Sequence, residues 1–171
     1  TGEAQAEFEK LRKDPWAKRW ETEGIEGIGW CYLEGKRWED AGKLFFQAAR
    51  SGSRKAHVGY AQSLTGRGRA AEAVKYLDEQ FFSKTPVFDR TEAMARIAAG
   101  KAYEAQKGDE AIWDAVYQYL RVPALYGAFR AEEAEALSRA ETLLNKLGAK
   151  EDAARVGQRL REKYPNVGKK P

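Results

Sequence analysis

The stretch that decides the fold is Ile25-Glu26-Gly27-Ile28-Gly29-Trp30-Cys31-Tyr32-Leu33-Glu34-Gly35-Lys36-Arg37-Trp38-Glu39-Asp40-Ala41-Gly42-Lys43-Leu44-Phe45-Phe46-Gln47-Ala48. Its apolar residues recur three and four apart on either side of Gly35-Lys36-Arg37, the spacing of two helices joined by a tight turn. Taking Gly29 as the origin, Tyr32, Ala41, Phe45 and Ala48 stand at offsets 3, 12, 16 and 19. Ala61, Leu64, Ala73, Leu77 and Gln80 repeat those offsets, as do Glu141, Leu144, Ala153, Gly157 and Leu160. A further unit built on Gly100, Tyr103, Ala115 and Tyr119 fits once three residues are inserted at its inter-helix turn. A small residue and a large one three apart share a face of the first helix. The alanine and the apolar residue four apart line the facing stripe of the second.

The rest of the chain agrees. Alanine supplies 28 of the 171 residues, and no segment alternates apolar and polar residues with strand-like composition. Helices are expected near Glu3–Lys13, Pro15–Leu33, Trp38–Arg50, Arg54–Thr65, Arg69–Phe82, Asp89–Gln106, Asp109–Arg121, Ala128–Lys146 and Glu151–Lys163. Asp14-Pro15 has the form of an N-cap followed by proline at the first helical position, and Gly24, Gly27 and Gly29 weaken the helix that follows. At 43% hydrophobic residues the chain has the material for a core, and none of its apolar runs is long enough to span a bilayer.

Charge is unevenly distributed. The formal net charge is +4, but Lys146 to Pro171 alone carries an excess of five positive charges and the preceding residues are close to neutral. The basic end reads as a solvated helix face or as a docking patch for an acidic partner. Catalytic chemistry finds little support. Cys31 and His57 are single, Glu132-Glu133-Glu135 and Asp109-Glu110 fall in helix N-terminal turns where the macrodipole accounts for them, and Gly66-Arg67-Gly68 follows no strand. Cys31 is read as an inert buried thiol and His57 as a structural histidine. No cofactor is expected. Four of the five tryptophans, Trp16, Trp20, Trp30 and Trp38, crowd the first 38 residues.

Ile25, Ile28-Gly29, Tyr32, Ala41, Phe45 and Ala48 resemble the tetratricopeptide repeat, and so do His57, Tyr60-Ala61, Leu64, Ala73 and Leu77. Leu137, Leu144, Gly148, Ala153, Leu160 and Pro165 follow the same pattern, with Glu141 and Gly157 departing from it. Tyr119–Tyr126 and Arg161–Pro165 are similar to bacterial members, envelope-associated ones included. The resemblance implies an all-α, right-handed superhelical α-solenoid of about four antiparallel hairpins (23–53, 54–86, 88–123 and 128–165). An N-terminal capping helix region (1–22) would precede them and a basic tail (166–171) would follow. It implies a non-enzymatic scaffold binding another protein or peptide segment in a concave groove. By transfer of the family's pattern that groove is lined by Glu26, Trp30, Leu33, Lys55, Val58, Gln62, Lys101, Glu104, Arg139, Thr142, Asn145 and Lys146. Apolar contacts are expected near Trp30 and basic ones near Lys101, Arg139 and Lys146. The alternative is a helical-repeat nucleic-acid binder using the basic C-terminal hairpin.

Overall fold

A computed structural model of the chain describes residues 2–13 and 20–165. The Asp14-Pro15 cap, Trp16 and the basic tail 166–171 lie outside them. The described residues are all-helical: α1 (Gly2–Lys13), α2 (Glu21–Glu34), α3 (Trp38–Arg50), α4 (Arg54–Gly66), α5 (Ala70–Leu77), α6 (Arg90–Glu104), α7 (Asp109–Leu125), α8 (Arg130–Lys146) and α9 (Lys150–Lys163). No helix among them is long and apolar enough to cross a membrane. Contacts divide the chain into two compact units, Thr1–Lys84 and Thr85–Pro171.

In the N-terminal unit α1 packs on α2, α2 on α3, α3 on α4 and α4 on α5. The glycines expected to weaken α2 do not break it. They let aromatic rings approach: a Cβ on Gly27 would collide with the Phe8 ring, and one on Gly29 would meet the Phe45 ring at 2.9 Å. Phe45 is fully buried and its ring also covers Gly59, where a Cβ would stand 2.5 Å away. One side chain therefore ties α3 to both α2 and α4, the small-against-large seam that close helix approach requires. Ala61 and Leu77, both buried, occupy the same register in the next hairpin. The turns are short. Gly52 and Gly68, at φ 96° and 76°, supply the left-handed residue after α3 and α4. After α5 the chain continues through a wide π-helical turn, Asp78–Phe82, that buries Phe81 and leaves Phe82 half-buried.

In the C-terminal unit α6 packs on α7, α7 on α8 and α8 on α9. Gly100 faces the ring of Tyr119 as Gly29 faces Phe45, with a Cβ-to-ring distance of 2.5 Å. The three-residue insertion belongs inside α7 and not in the turn. Trp38 follows Gly29, and Asp109 follows Gly100, by the same nine residues, so the extra residues form an added first turn of α7 that buries Ile112. α7 also runs to Leu125, past the expected end at Arg121. Pro123 stands in the last turn, where it has no N–H to give the Tyr119 carbonyl, and its own carbonyl accepts from Arg159 Nη2 at 3.1 Å.

The last hairpin inverts the seam. Gly157 stands where the other hairpins carry a large residue and Glu141 where they carry a small one. A Cβ on Gly157 would collide with the Glu141 carboxyl, its Cδ at 2.5 Å, while Arg161 Nη1 donates to Glu141 Oε1 at 3.2 Å. The two departures in the sequence compensate each other: the glycine makes room for the glutamate.

Candidate functional site

Three of the groove residues expected in the N-terminal unit come together. Glu26, Trp30 and Lys55 line one cleft of about 460 Å³ between α1, α2 and α4, with Ala4, Phe8 and Cys31 among its walls and Glu23 and Glu34 on its rim. The Trp30 ring stands edge-on to Phe45 at 4.9 Å, and Lys55 Nζ lies 5.6 Å from the Trp30 ring centre, within cation–π range. The Trp30 indole N–H is shielded from solvent and meets no acceptor among the described residues, a cost on the order of 1–3 kcal/mol. Glu26 accepts from the Ser53 hydroxyl, whose oxygen in turn caps α4 by accepting from the Ala56 N–H at 3.2 Å. The cap of α4 thus orients a carboxylate on α2.

Two expectations fail here. Leu33 and Val58 are buried, Val58 completely, and Leu33 turns into the α2–α3–α4 core. Gln62 is half-buried on α4 and does not line the cleft. Cys31, expected to be buried, is half-buried in the cleft wall. His57 is half-buried on α4 itself, with Nδ1 2.6 Å from the Tyr76 hydroxyl. Burial first, then Lys84 and Arg54, holds its pKa below the usual histidine value. Burial pushes Tyr76 up to about 12, with Tyr60 and Glu79 adding to it.

The C-terminal unit treats its share differently. Lys101, Glu104 and Arg139 converge, but on one another and on neighbouring acids. Tyr119 and Arg139 both donate to Glu104, Arg139 at 3.1 Å. Arg139 Nε reaches Glu135 at 3.2 Å and Lys101 Nζ reaches the same oxygen at 2.8 Å. Burial, the largest influence on Glu135, favours its protonated form, and the bonds from Lys101 and Arg139 outweigh it, so the carboxyl is held below its ordinary value. Burial and the Glu104 bond raise Tyr119. The charge expected to meet an acidic partner is spent on this internal network. Thr142 and Asn145 are exposed on α8 but hydrogen-bond back to Ser138 O and Glu141 O, at 2.9 and 3.0 Å, and Lys146 is exposed at the end of the helix.

Sequence reasoning missed the most tightly held acid. Glu133, assigned to the macrodipole, is 0% exposed and accepts from Arg159 at 3.0 Å, Lys163 at 2.6 Å and Tyr164 at 2.8 Å. Burial pushes its pKa up, and the three donors more than offset that, leaving it lowered. Glu132 pairs with Arg90 at 2.6 Å. Basic residues of the last hairpin are consumed in the same way: Arg159 and Lys163 by Glu133, Arg161 by Glu141, Arg155 by Asp152 at 3.7 Å. The signal lay in α9's basic spacing at 159 and 163, four apart and so on one face, but its partner is 26 to 30 residues away. Among the described residues no group of three His, Cys, Asp or Glu side chains could hold a metal ion. The chain matches no protein-family model and no curated protein sequence.

Proposed function

We propose that the protein is a non-enzymatic scaffold of tetratricopeptide-like hairpins that binds a polypeptide partner, with the α1–α2–α4 cleft as its anchoring point. The observation that carries this reading is the cleft's construction. Trp30 and Lys55 come from the first helices of successive hairpins and share an open, largely apolar recess with Glu26. An indole rigidly backed by Phe45 offers a large contact area with little side-chain entropy to lose.

The C-terminal unit supports the reading by contrast. Its counterpart residues are tied into ion pairs, so opening them to a ligand costs the bonds already made. Partner capture therefore depends on the N-terminal unit. Trp30→Ala combined with Glu26→Lys removes capture of the partner by the immobilised chain while leaving its helical circular dichroism unchanged. Capture at the wild-type level by that double variant overturns the assignment of the cleft. The nucleic-acid reading has less to draw on, because Arg155, Arg159, Arg161 and Lys163 of the last hairpin already pair with carboxylates.

A further inference from the structure

The outer face of α7 carries the largest exposed rings of the C-terminal unit together with two acids, Glu110 and Asp114, that form no ion pair among the described residues. Trp113 is 48% and Tyr117 55% exposed. On a helix of about 3.6 residues per turn, half-buried Leu120 and exposed Ala124 continue the stripe these rings begin. A row at i, i+4, i+7 and i+11 is the spacing of a helix that packs along another helix. Glu110, Asp114 and Arg121 lie along one flank of that stripe, on the Tyr117 side. Arg121 is held over the Tyr117 ring at 4.3 Å and donates to its hydroxyl. Glu110 and Asp114 have no ion pair within the described residues; the same holds for Asp109, Glu151 and Glu162, whereas Glu104, Glu132, Glu133, Glu135 and Glu141 are paired.

We infer that this ridge is a self-association surface, and that its occupant is the α7 ridge of a second copy of this chain, running antiparallel about a two-fold axis near Tyr117. The charges choose both the partner and the direction. When two helices pack antiparallel face to face, like flanks meet with their directions reversed, so the acidic N-terminal half (Glu110, Asp114) of each copy meets Arg121 of the other. A parallel pairing sets unlike flanks together and leaves these charges unanswered. The arrangement is isologous, each copy giving and receiving the same contacts. Four aromatic rings, each with about half of its area still exposed out of about 150–250 Å², make a contact well below the roughly 1,200 Å² of a standard interface, so the dimer is weak and depends on concentration. This surface is distinct from the cleft and does not rest on the function proposed for it.

Sedimentation of the full chain at low ionic strength tests it. Over about 10 μM to 1 mM the weight-average mass of the wild type rises toward twice that of one chain. Trp113→Ala with Tyr117→Ala abolishes the rise. Arg121→Glu alone, and Glu110→Lys with Asp114→Lys, each place like charges on the facing flanks and stay monomeric. Mixing these two charge variants restores association, because an all-acidic flank then meets an all-basic one. Circular dichroism of each variant verifies that the helices are intact. A wild type that stays monomeric throughout, charge variants that associate as it does, or a mixture that fails to associate overturns the inference.

Discussion

The two units solve one packing problem with different materials. In the N-terminal unit a ring lies on a small residue, and Phe45 is pressed against both Gly29 and Gly59. Its surroundings are aromatic, with Trp30 at 4.9 Å and Tyr60 on Tyr76 at 4.9 Å. In the C-terminal unit the ring of Tyr119 is retained over Gly100, but its hydroxyl feeds a carboxylate network, and the last hairpin replaces the ring altogether with Glu141 over Gly157. The hairpin register therefore tolerates either a dry ring or a bridged carboxylate at its closest approach. The dry version leaves a recess beside the seam. The ionic version fills it with its own side chains.

Four tests probe how far the two seams differ, and urea unfolding of the full chain measures the first three. Removing the ring that serves two contacts has the largest expected effect: Phe45→Ala lowers stability by about 3–5 kcal/mol, since Gly29 and Gly59 both lose their cover. Glu133→Gln comes next, at about 2–4 kcal/mol. It keeps the shape but removes the charge that three donors address, while Arg159 and Lys163 remain free to turn to solvent. Because the folded-state pKa of Glu133 is lowered, its contribution is present above the unfolded carboxylate range and is lost as pH falls through it. The acid-induced drop in stability should therefore be shallower in Glu133→Gln. A smaller effect joins Glu141 and Gly157. Gly157→Ala in the wild type displaces the carboxylate from Arg161, whereas in a Glu141→Ala background the same change gains helix propensity, about 1 kcal/mol. The double-mutant cycle thus shows a coupling of about 1–2 kcal/mol, and additive behaviour would separate the two residues. The smallest effect belongs to His57. Its folded-state pKa is depressed, so the unfolded chain takes up the proton first and stability declines as pH falls below about 6.5. His57→Gln should flatten that part of the pH profile, and an unchanged slope would place the titrating group elsewhere.

Helix and hairpin positions were legible because the signals are local: Gly29 with Phe45, Gly100 with Tyr119, and turns marked by glycine. The site was legible only in part. Transfer of a repeat pattern brought Glu26, Trp30 and Lys55 to one cleft, yet it also named Leu33 and Val58, whose orientation depends on how α2, α3 and α4 cross. The fate of Lys101 and Arg139 was hidden for a different reason. Their partners Glu135 and Glu104 lie 34 and 35 residues away in the chain, on the neighbouring hairpin's first helix, and charge patterning along one helix carries no trace of such pairs. Glu141 and Gly157 show the limit from the other side. Each looks like a defect alone, and only their mutual distance reveals a matched exchange.

Phe45's double duty also bears on how the N-terminal unit opens. Because one ring closes the gap to α2 and to α4 at once, α3 cannot separate from either neighbour without exposing both glycine faces. Amide protons in the interiors of α2, α3 and α4 should therefore exchange with solvent through a single shared opening, with one common protection level, and α5 beyond them should be free to open at lower cost.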